Sequence, residues 1–355
     1  MSAAAPATEA ETAGKQTCPT ISMTKATTPQ AGTLPAFKLE RYFARWEFSA
    51  PHLLCCSDCE PLPLQELLGL ADEDSRGRWD NLRLGYGETR GMPELRQEIS
   101  KLYDHVDPEG VIVCAPQECI YLAMGALLQP GDHVVVTYPG YQSLFQVAAS
   151  MGCEVELWEA ELRGNGSAGF DVRRLQSLLR PSTRLLVVNF PHNPTGFLPS
   201  VTEWRQLVAA CKAVGCHLFS DEMYRLMELD PASRLPSAVD LYDKAITLSG
   251  LSKAFGLPGL RIGWLAVRPA LQQQLLDRVA QLKDYTTICN SAPSEVLGLM
   301  ALRAREHILA RNMALIRANL AVLAAFMREF GDTFAYCPPA AGSVAFPRWL
   351  GGRAG

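Results

Sequence analysis

The sequence predicts an α/β protein built on a mainly parallel sheet, and two observations support this fold class. Short runs rich in valine, isoleucine and leucine are continuous, as in strands that are covered on both faces. Segments with helical periodicity separate these runs, which is typical of parallel sheets. The 355 residues, 48% hydrophobic and 20% charged, are enough for a sizeable core in about two domains. This composition excludes a largely disordered chain.

The predicted elements alternate from residue 111 onward. β-branched residues are frequent in the predicted strands, which cover residues 111–114, 133–137, 154–159, 184–190, 217–220, 245–249 and 262–267. Apolar residues recur at helical spacing in the predicted helices, which cover residues 117–128, 141–150, 171–179, 200–214 and about 306–330. No internal repeat is visible in the sequence.

Charge and cysteine usage exclude several classes of protein. With 33 basic and 37 acidic residues the net charge is −4, and no basic stripe predicts a nucleic-acid partner. No run approaches the roughly 18 uninterrupted apolar residues of a membrane span, so no membrane partner is expected. The 11 cysteines are predicted to be reduced, including Cys114 and Cys119 within apolar runs. Cys56 and Cys59 have C-x-x-C spacing without a second ligand pair, so no metal site is expected.

The first 33 residues are rich in alanine, threonine and proline, and we predict that residues 1–33 form a disordered tail. They contain no apolar core of a secretory signal. They also lack arginine and include Glu9 and Glu11, so they make a poor organelle-targeting peptide. A cytoplasmic location is therefore expected.

Polar segments at or just beyond the ends of predicted strands point to a ligand site. These segments are residues 115–118, 193–196, 221–224 and 249–253, and Arg261 follows Lys253 by eight residues. In an open α/β sheet, ligands bind beyond the carboxyl ends of the strands, so we expect the segments to meet at one crevice. A lysine there can act as a nucleophile toward a carbonyl. Taken alone, Lys253 would more often be a solvated loop residue.

The combination of motifs is more specific than any one of them. Asn193-Pro-Thr-Gly, Asp221-x-x-Tyr224 and Ser252-Lys253 followed by Arg261 resemble the class I and II pyridoxal-phosphate-dependent aminotransferases of fold type I. The resemblance extends from about residue 84 to residue 346 and includes Gly85-Tyr86-Gly87. It implies a large, mainly parallel α/β domain, a smaller domain and pyridoxal phosphate as the cofactor.

The resemblance also implies roles for individual residues. Lys253 would form the Schiff-base link to the cofactor and move a proton between the substrate Cα and the cofactor. Asp221 would pair with the pyridinium nitrogen, although an aspartate at this position could simply cap a helix. Tyr224 and Asn193 would donate hydrogen bonds to the phenolate oxygen. Lys253, Asp221 and Tyr224 are thus the predicted catalytic residues.

The remaining predicted cofactor contacts concern the phosphate and the ring. Phosphate contacts are expected from the helix start formed by Ala115, Pro116 and Gln117, and from Ser252, Arg261, and Ser249 beside Gly250. Glu118 must then turn away from the phosphate. Tyr141 would stack on the ring, unless it is a core aromatic. Tyr86 resembles the tyrosine that reaches the cofactor of a neighbouring subunit, which implies a homodimer.

The resemblance implies transamination between an α-amino acid and a keto acid. The same residues also serve elimination and cyclising replacement, and residues 39–48 are similar to the branch of capreomycidine synthase, which rearranges an arginine derivative. A pyridoxal-phosphate-binding protein without turnover is the third possibility.

Domain boundaries follow from the same resemblance. Beyond the tail, we predict that residues 34–75 and 306–355 form the small domain and residues 76–305 the large domain. Gly342–Phe346 is followed by few residues, and neither Arg348 nor Arg353 lies in a motif that matches the family's carboxylate-binding arginine. We therefore expect an incomplete small domain.

Overall fold

The structure is a computed structural model, and it describes residues 33–351. The predicted disordered tail lies outside the described residues except for its last position. The strands are β1 (Val111–Cys114), β2 (His133–Tyr138), β3 (Glu154–Glu159), β4 (Glu161–Leu162), β5 (Ala168–Gly169), β6 (Thr183–Asn189), β7 (His217–Asp221), β8 (Ala245–Gly250), β9 (Gly263–Ala266), β10 (Phe334–Ala335) and β11 (Arg348–Trp349).

Helices precede, separate and follow these strands. They are α1 (Lys38–Trp46), α2 (Leu64–Gly69), α3 (Glu73–Asp80), α4 (Pro93–Ser100), α5 (Pro116–Leu127), α6 (Ser143–Ser150), α7 (Val172–Leu178), α8 (Val201–Val214), α9 (Ala238–Leu241), α10 (Pro269–Leu271), α11 (Asp277–Lys283), α12 (Ala292–Arg303) and α13 (Arg305–Glu329). Local chemistry explains the boundaries of α8, for example. Ser200 and Glu203 form a capping box at its start, and Gly215 ends it in the left-handed conformation.

Seven strands form the central sheet in the order β1-β9-β8-β7-β6-β2-β3. β9 is antiparallel to both of its neighbours, and the other neighbouring pairs are parallel. The predicted α/β fold with a mainly parallel sheet is therefore confirmed. Because β1, β2, β6, β7 and β8 run in the same direction, their carboxyl ends lie at one edge of the sheet.

Apolar side chains fill both faces of this sheet. Val134 and Val136 belong to the core on the side of α5 and α12, whereas Val135 belongs to the core on the side of α7 and α8. Successive side chains of a strand point to opposite faces, so one valine run supplies both layers. This is why the strands appear in the sequence as continuous apolar runs.

Helices α1–α4 and α9–α12 have no counterpart among the predicted elements. Helix α3 has a sequence that is mostly polar, and its start is fixed by Asp72, whose side chain accepts a hydrogen bond from the backbone N–H of Ser75. A capping residue, rather than apolar periodicity, marks such a helix. None of the residues of α1 is buried, so its helical face does not pack into the core.

The prediction of reduced cysteines is wrong for one pair. Cys114, at the end of β1, and Cys119, in the first turns of α5, form a disulfide. Both residues are fully buried, and apolar surroundings alone do not distinguish a buried thiol from a buried disulfide. The described part of the chain contains no group of three or more metal-binding side chains, Cys56 and Cys59 included.

Helix α13 is the one described helix that is long and apolar enough, by length and composition alone, to cross a membrane. Its sequence is not an uninterrupted apolar run, because arginines and asparagines interrupt the helix. Two of these residues bond to the rest of the protein. Arg311 donates to the carbonyl of Glu60 at 3.2 Å, and Asn312 donates to that of Ala254 at 2.8 Å. These contacts are typical of a helix that packs on a globular domain.

Candidate active site

The carboxyl ends of the parallel strands enclose a cavity of about 350 Å³. Nine predicted site residues line it: Pro116, Gln117, Tyr141, Asn193, Asp221, Tyr224, Ser252, Lys253 and Arg261. The strand-end segments therefore meet at one crevice, as the sequence predicts. Three predicted residues, Ala115, Ser249 and Tyr86, do not line this cavity.

Asp221 is the last residue of β7 and is only 5% exposed. Its Oδ1 accepts a hydrogen bond from the backbone N–H of Met223 at 3.1 Å, and its backbone carbonyl accepts one from Asn189 Nδ2 at 3.0 Å. Burial raises the pKa of this carboxyl to about 7. A cationic partner in the cavity would favour the ionised carboxylate, which is the charge that the predicted pyridinium contact requires.

Lys253 follows β8 by three residues, and its side chain is 20% exposed. The amine donates a hydrogen bond to Ser57 Oγ at 2.9 Å and forms an ion pair with Asp58. Both partners lie in the extended segment 51–63 between α1 and α2. The N-terminal part of the described chain thus covers the predicted catalytic lysine, a contact that the sequence analysis does not anticipate.

The opposite end of the cavity carries donors suited to an anion. Pro116 and Gln117 form the first turn of α5, where backbone N–H groups have no partner within the helix. Arg261 lines the same cavity from a left-handed backbone conformation (φ 56°), which is uncommon for residues other than glycine. Glu118 turns away from the cavity, as expected, and its Oε1 accepts a hydrogen bond from Thr287 Oγ1 at 2.8 Å.

The close packing around Gly250 explains why a larger residue is absent at this position. Its neighbour Ser249 does not reach the cavity. A Cβ atom on Gly250 would lie 2.9 Å from the Cα of Gly263 and 3.0 Å from the carbonyl oxygen of Ile262. The close pairing of β8 and β9 therefore requires glycine at position 250. Ser249 is paired in register with Trp264 and does not line the cavity, and its role as a substitute for a phosphate-binding serine stays a prediction.

Tyr141 lies between the cavity and α1. Its ring contacts Phe37 with the ring centroids 5.2 Å apart, and its Oη donates a hydrogen bond to Glu40 Oε1 at 3.4 Å. Burial, with the nearby Glu40 charge, raises the pKa of the phenol. Since Tyr141 lines the cavity, a ring stacked on it would also lie close to α1.

Tyr86 is remote from the cavity within one protomer and is 89% exposed. It lies with Gly85, Gly87 and Glu295 around a second, open depression. A tyrosine that acts on a partner's cavity has to be exposed in the single chain, so this position agrees with the prediction without testing it.

Sequence reasoning misses the residues that the N-terminal part adds to the cavity. They are Leu39, Glu40, Phe43, Glu47, Cys56, Ser57 and Asp58. Two signals are nevertheless present in the sequence. Residues 39–48 resemble a known branch of the family, and residues 56–59 have a spacing that is typical of metal or redox sites. Neither signal indicates that the segments fold over Lys253.

The polar atoms of the cavity fit pyridoxal phosphate. Within the described residues, the side-chain oxygens Gln117 Oε1, Tyr224 Oη and Ser252 Oγ are buried without a hydrogen-bond partner. All three residues line the cavity, together with a lysine amine and an arginine. Buried polar groups are normally paired, so this set indicates a polar ligand. The hydroxyls of Tyr224 and Ser252 can donate to anionic oxygens such as the phenolate and phosphate of the cofactor.

Comparisons with known proteins define the class. The family model for aminotransferase class I and II matches residues 78–349, and the chain belongs to this family. The cofactor of the family is pyridoxal phosphate, and the predictions of family, fold type and cofactor are confirmed. The protein is a pyridoxal-phosphate-dependent aminotransferase.

Individual relatives differ in their chemistry. Capreomycidine synthase of Streptomyces vinaceus is 32% identical over 329 residues, covering 90% of this chain and 81% of the relative. The arginine–pyruvate transaminase AruH of Pseudomonas aeruginosa is 32% identical over 208 residues, covering 56% of this chain and 52% of the relative. The chain therefore spans about half the length of AruH.

Solved structures agree with this assignment. A pyridoxal-phosphate-dependent aminotransferase from Streptococcus suis is similar, with a TM-score of 0.82 and 33% identity over 89% of this chain and 83% of that one. The pyridoxal-phosphate-dependent cyclase OrfR has a TM-score of 0.80 and 27% identity over 92% of this chain and 83% of that one.

Proposed function

We propose that this aminotransferase takes an α-amino acid with a positively charged side chain as its amino donor. The proposal is supported by the charges around the cavity. Glu40 and Glu47 of the α1 region and Asp58 line it from the N-terminal side. Among the described lining residues, the basic side chains are Lys253 and Arg261. With Lys253 linked to the cofactor and Arg261 on its phosphate, the entrance would carry excess negative charge.

The residues at the base of the cavity would hold the cofactor as the family resemblance implies. Arg261, Ser252 and the first turn of α5 would bind the phosphate, and Asp221 would bind the ring nitrogen. Asn193 and Tyr224 would donate to the phenolate oxygen. When bound, pyridoxal phosphate supplies an aldehyde for Lys253 and a ring that accepts the electron pair released at the substrate Cα.

The chain's own groups would then handle the proton. The free Lys253 amine would take the proton from the substrate Cα and return it to the cofactor side, after which water would add to the former Cα and the keto acid would leave with the oxygen of that water. Tyr141 would stack on the ring and hold it between the lysine and the wall of the cavity. One relative named for arginine chemistry, the arginine–pyruvate transaminase AruH, supports a cationic donor. The resemblance of residues 39–48 to the branch of capreomycidine synthase, which rearranges an arginine derivative, points in the same direction.

Single-turnover spectra with a panel of amino acids test this proposal. We expect arginine, ornithine and lysine to convert the bound cofactor to pyridoxamine phosphate at lower concentrations than valine or aspartate. Glu47→Gln should weaken binding of the cationic donors by about ten- to a hundredfold, because a charge-assisted hydrogen bond contributes roughly 1.5–3 kcal/mol. The exposed Glu329 offers a matched control, Glu329→Gln, which should have no effect.

The products distinguish the reaction types. Pyridoxamine phosphate together with a keto acid indicates transamination, whereas ammonia or a cyclised amino acid without pyridoxamine phosphate indicates elimination or cyclisation. Equal affinity for valine, aspartate and arginine would contradict the proposed substrate class. A protein that binds the cofactor but reacts with no amino acid would contradict turnover itself.

A homodimer and a cytoplasmic location complete the proposal. Two segments of the chain expose apolar or aromatic side chains, which are Leu84 and Tyr86 in one segment and Tyr285 and Ile288 in the other. Lys283 Nζ donates a hydrogen bond to the carbonyl of Thr89 at 2.9 Å, which joins the two segments. Monomers rarely expose such patches, so a second copy of this chain would cover them. The cytoplasmic location stays a prediction from sequence composition.

A further inference from the structure

We propose that Asp58 holds the amine of Lys253 whenever that amine is not covalently linked, and thereby keeps it in position for the reaction. This inference rests on the proposed function and adds a positioning residue to it. The two partners of Lys253 Nζ are Ser57 Oγ at 2.9 Å and the carboxylate of Asp58. Both are 195 or more residues away in the chain.

Other acids of the cavity do not have this role. Asp221 uses Oδ1 for the backbone N–H of Met223, and its buried carboxyl is the predicted partner of the ring nitrogen. Glu40 accepts from Tyr141 on the α1 side. Asp58 therefore makes the ion pair with Lys253, and its side chain is 34% exposed.

The segment that carries Asp58 is fixed on both sides of it. Ser343 Oγ donates a hydrogen bond to the carbonyl of Ser57 at 2.6 Å. Leu62 N donates to the carbonyl of Gly256 at 3.1 Å, just beyond Lys253 in the chain. Arg311 adds a bond to Glu60. These contacts place Asp58 in one position relative to Lys253, unlike an acid on a solvated loop.

The chemistry explains why such a partner matters. To link to an aldehyde, Nζ must lose a proton to solvent and leave Asp58, after which the C–N bond forms and one water molecule departs. The ion pair opposes this step. When a substrate amine displaces Lys253, the freed side chain has four rotatable bonds, and ordering it without a partner is unfavourable. The neutral amine released in this way can still donate a hydrogen bond to the Asp58 carboxylate, which keeps it beside the cavity with its lone pair free to take the proton of the substrate Cα.

Two rates test the proposal, the rate of linking to the cofactor and the rate of reaction with a donor, and Asp58→Asn should change them in opposite directions. Asp58→Asn should link to pyridoxal phosphate roughly three- to tenfold faster, measured by the visible band after mixing ligand-free protein with cofactor. The same variant should react with a donor amino acid three- to tenfold more slowly in a single turnover. Asp58→Glu should restore part of both rates. Asp332→Asn, at an exposed position just beyond the end of α13, is the matched control and should match wild type.

The outcomes are separable. Linking that is unchanged or slower in Asp58→Asn would overturn the proposal, since a purely structural role slows both rates. Faster linking with turnover at the wild-type rate would overturn it as well, because holding the amine would then be irrelevant to the reaction. The linking measurement contains no amino acid, so it stands even if the proposed donor is wrong. Failure of the wild-type protein to form the band would instead contradict the proposed function.

Discussion

Asp221 lines the cavity, and its protonation state depends on the ligand that binds there. Burial raises its pKa to about 7, and the neighbouring Glu222 charge acts in the same direction. The backbone N–H of Met223 and the charge of Lys253 oppose this rise. The carboxyl is therefore poised to ionise when a positive ring nitrogen is placed beside it.

This raised pKa predicts a pH-dependent loss of stability in the ligand-free protein. In the unfolded chain the pKa of an aspartate is about 3.9, whereas in the folded protein the pKa of Asp221 is about 7. Between these two pH values, the unfolded chain has released a proton that folded Asp221 still holds. The unfolded state is then favoured progressively, and the penalty is complete above the folded pKa. Asp221→Asn lacks the titration and should gain thermal stability relative to wild type as the pH rises from 4 to 7.

Melting temperatures of the two ligand-free proteins across this pH range provide the measurement. Glu295 also has a raised pKa, but it is present in both proteins and its contribution cancels. Glu222 interacts with Asp221, so the comparison reports the titration of Asp221 together with its coupling to Glu222. A difference in melting temperature that stays constant with pH would show that Asp221 does not titrate in this range.

Residue types at strand ends allowed much of the cavity to be predicted. Lys253, Asp221, Tyr224 and Arg261 lie close in the chain to the sheet edge that positions them, so a short motif carries their role. Asp58 could not be found this way, because its contact with Lys253 joins residues 195 apart. Its position depends on how residues 51–63 fold over the sheet, which no local pattern encodes.

At the scale of elements, β1 and α5 form a single unit around the predicted phosphate site. Cys114 is the last residue of β1, and Ala115 is the N-cap residue of α5. The disulfide between Cys114 and Cys119 links the strand to the helix, with a Cα–Cα distance of 5.8 Å. The backbone N–H of Cys119 also bonds the carbonyl of Ala115 at 2.9 Å. The first turn of α5 is thus ordered before any anion binds.

We therefore expect Cys119→Ser to weaken binding of pyridoxal phosphate by roughly two- to tenfold, which corresponds to reordering about one flexible group on binding. Pyridoxal, which lacks the phosphate, should bind equally well to both proteins. Equilibrium titrations with the two compounds make the comparison. Cys153→Ser, a buried site outside the cavity lining, is the control. Equal losses for both compounds would indicate general destabilisation rather than a phosphate effect.

Strands were predicted more closely than helices for a physical reason. Strands β1 and β3 have the predicted bounds, because buried parallel strands are continuous apolar runs flanked by polar turns. The reversed direction of β9 could not be read from its residues, since strand direction depends on how the chain returns to the sheet. Helix α3 has weak apolar periodicity, so its capping residue is the decisive signal. Helix α1 is amphipathic, with Leu39, Phe43 and Trp46 at helical spacing, and it nevertheless has no counterpart among the predicted helices.

At the scale of the whole molecule, the site is predicted to extend beyond one chain. The division into a tail, a small domain and a large domain at residues 33, 75 and 305 stays a prediction. So does the role of Tyr86, which is 89% exposed and lies away from its own cavity. Leu84 and Tyr285 are exposed to a similar degree, at 83% and 91%. Such residues are typical of an interface between copies of a chain.

If Tyr86 completes the partner's cavity in a two-fold symmetric dimer, each active site contains residues of both chains. Lys253→Ala and Tyr86→Ala should each be nearly inactive alone. In a mixed dimer, one cavity combines both substitutions, and the other combines an intact Lys253 with an intact Tyr86 from the partner. Mixing the two variants should therefore restore up to about one quarter of wild-type activity, because random exchange makes half of the dimers mixed, each with one intact site of two.

The measurement is transamination after subunit exchange, with exchange itself verified by mass spectrometry of differently tagged chains. Val322→Ala, an exposed apolar position on α13 remote from the sites named here, serves as the control for general surface effects and should keep wild-type activity without mixing. Proven exchange without recovered activity would show that each site belongs to a single chain. In that case the exposed patch around Tyr86 would serve association only, and Tyr86 would have no part in holding the cofactor.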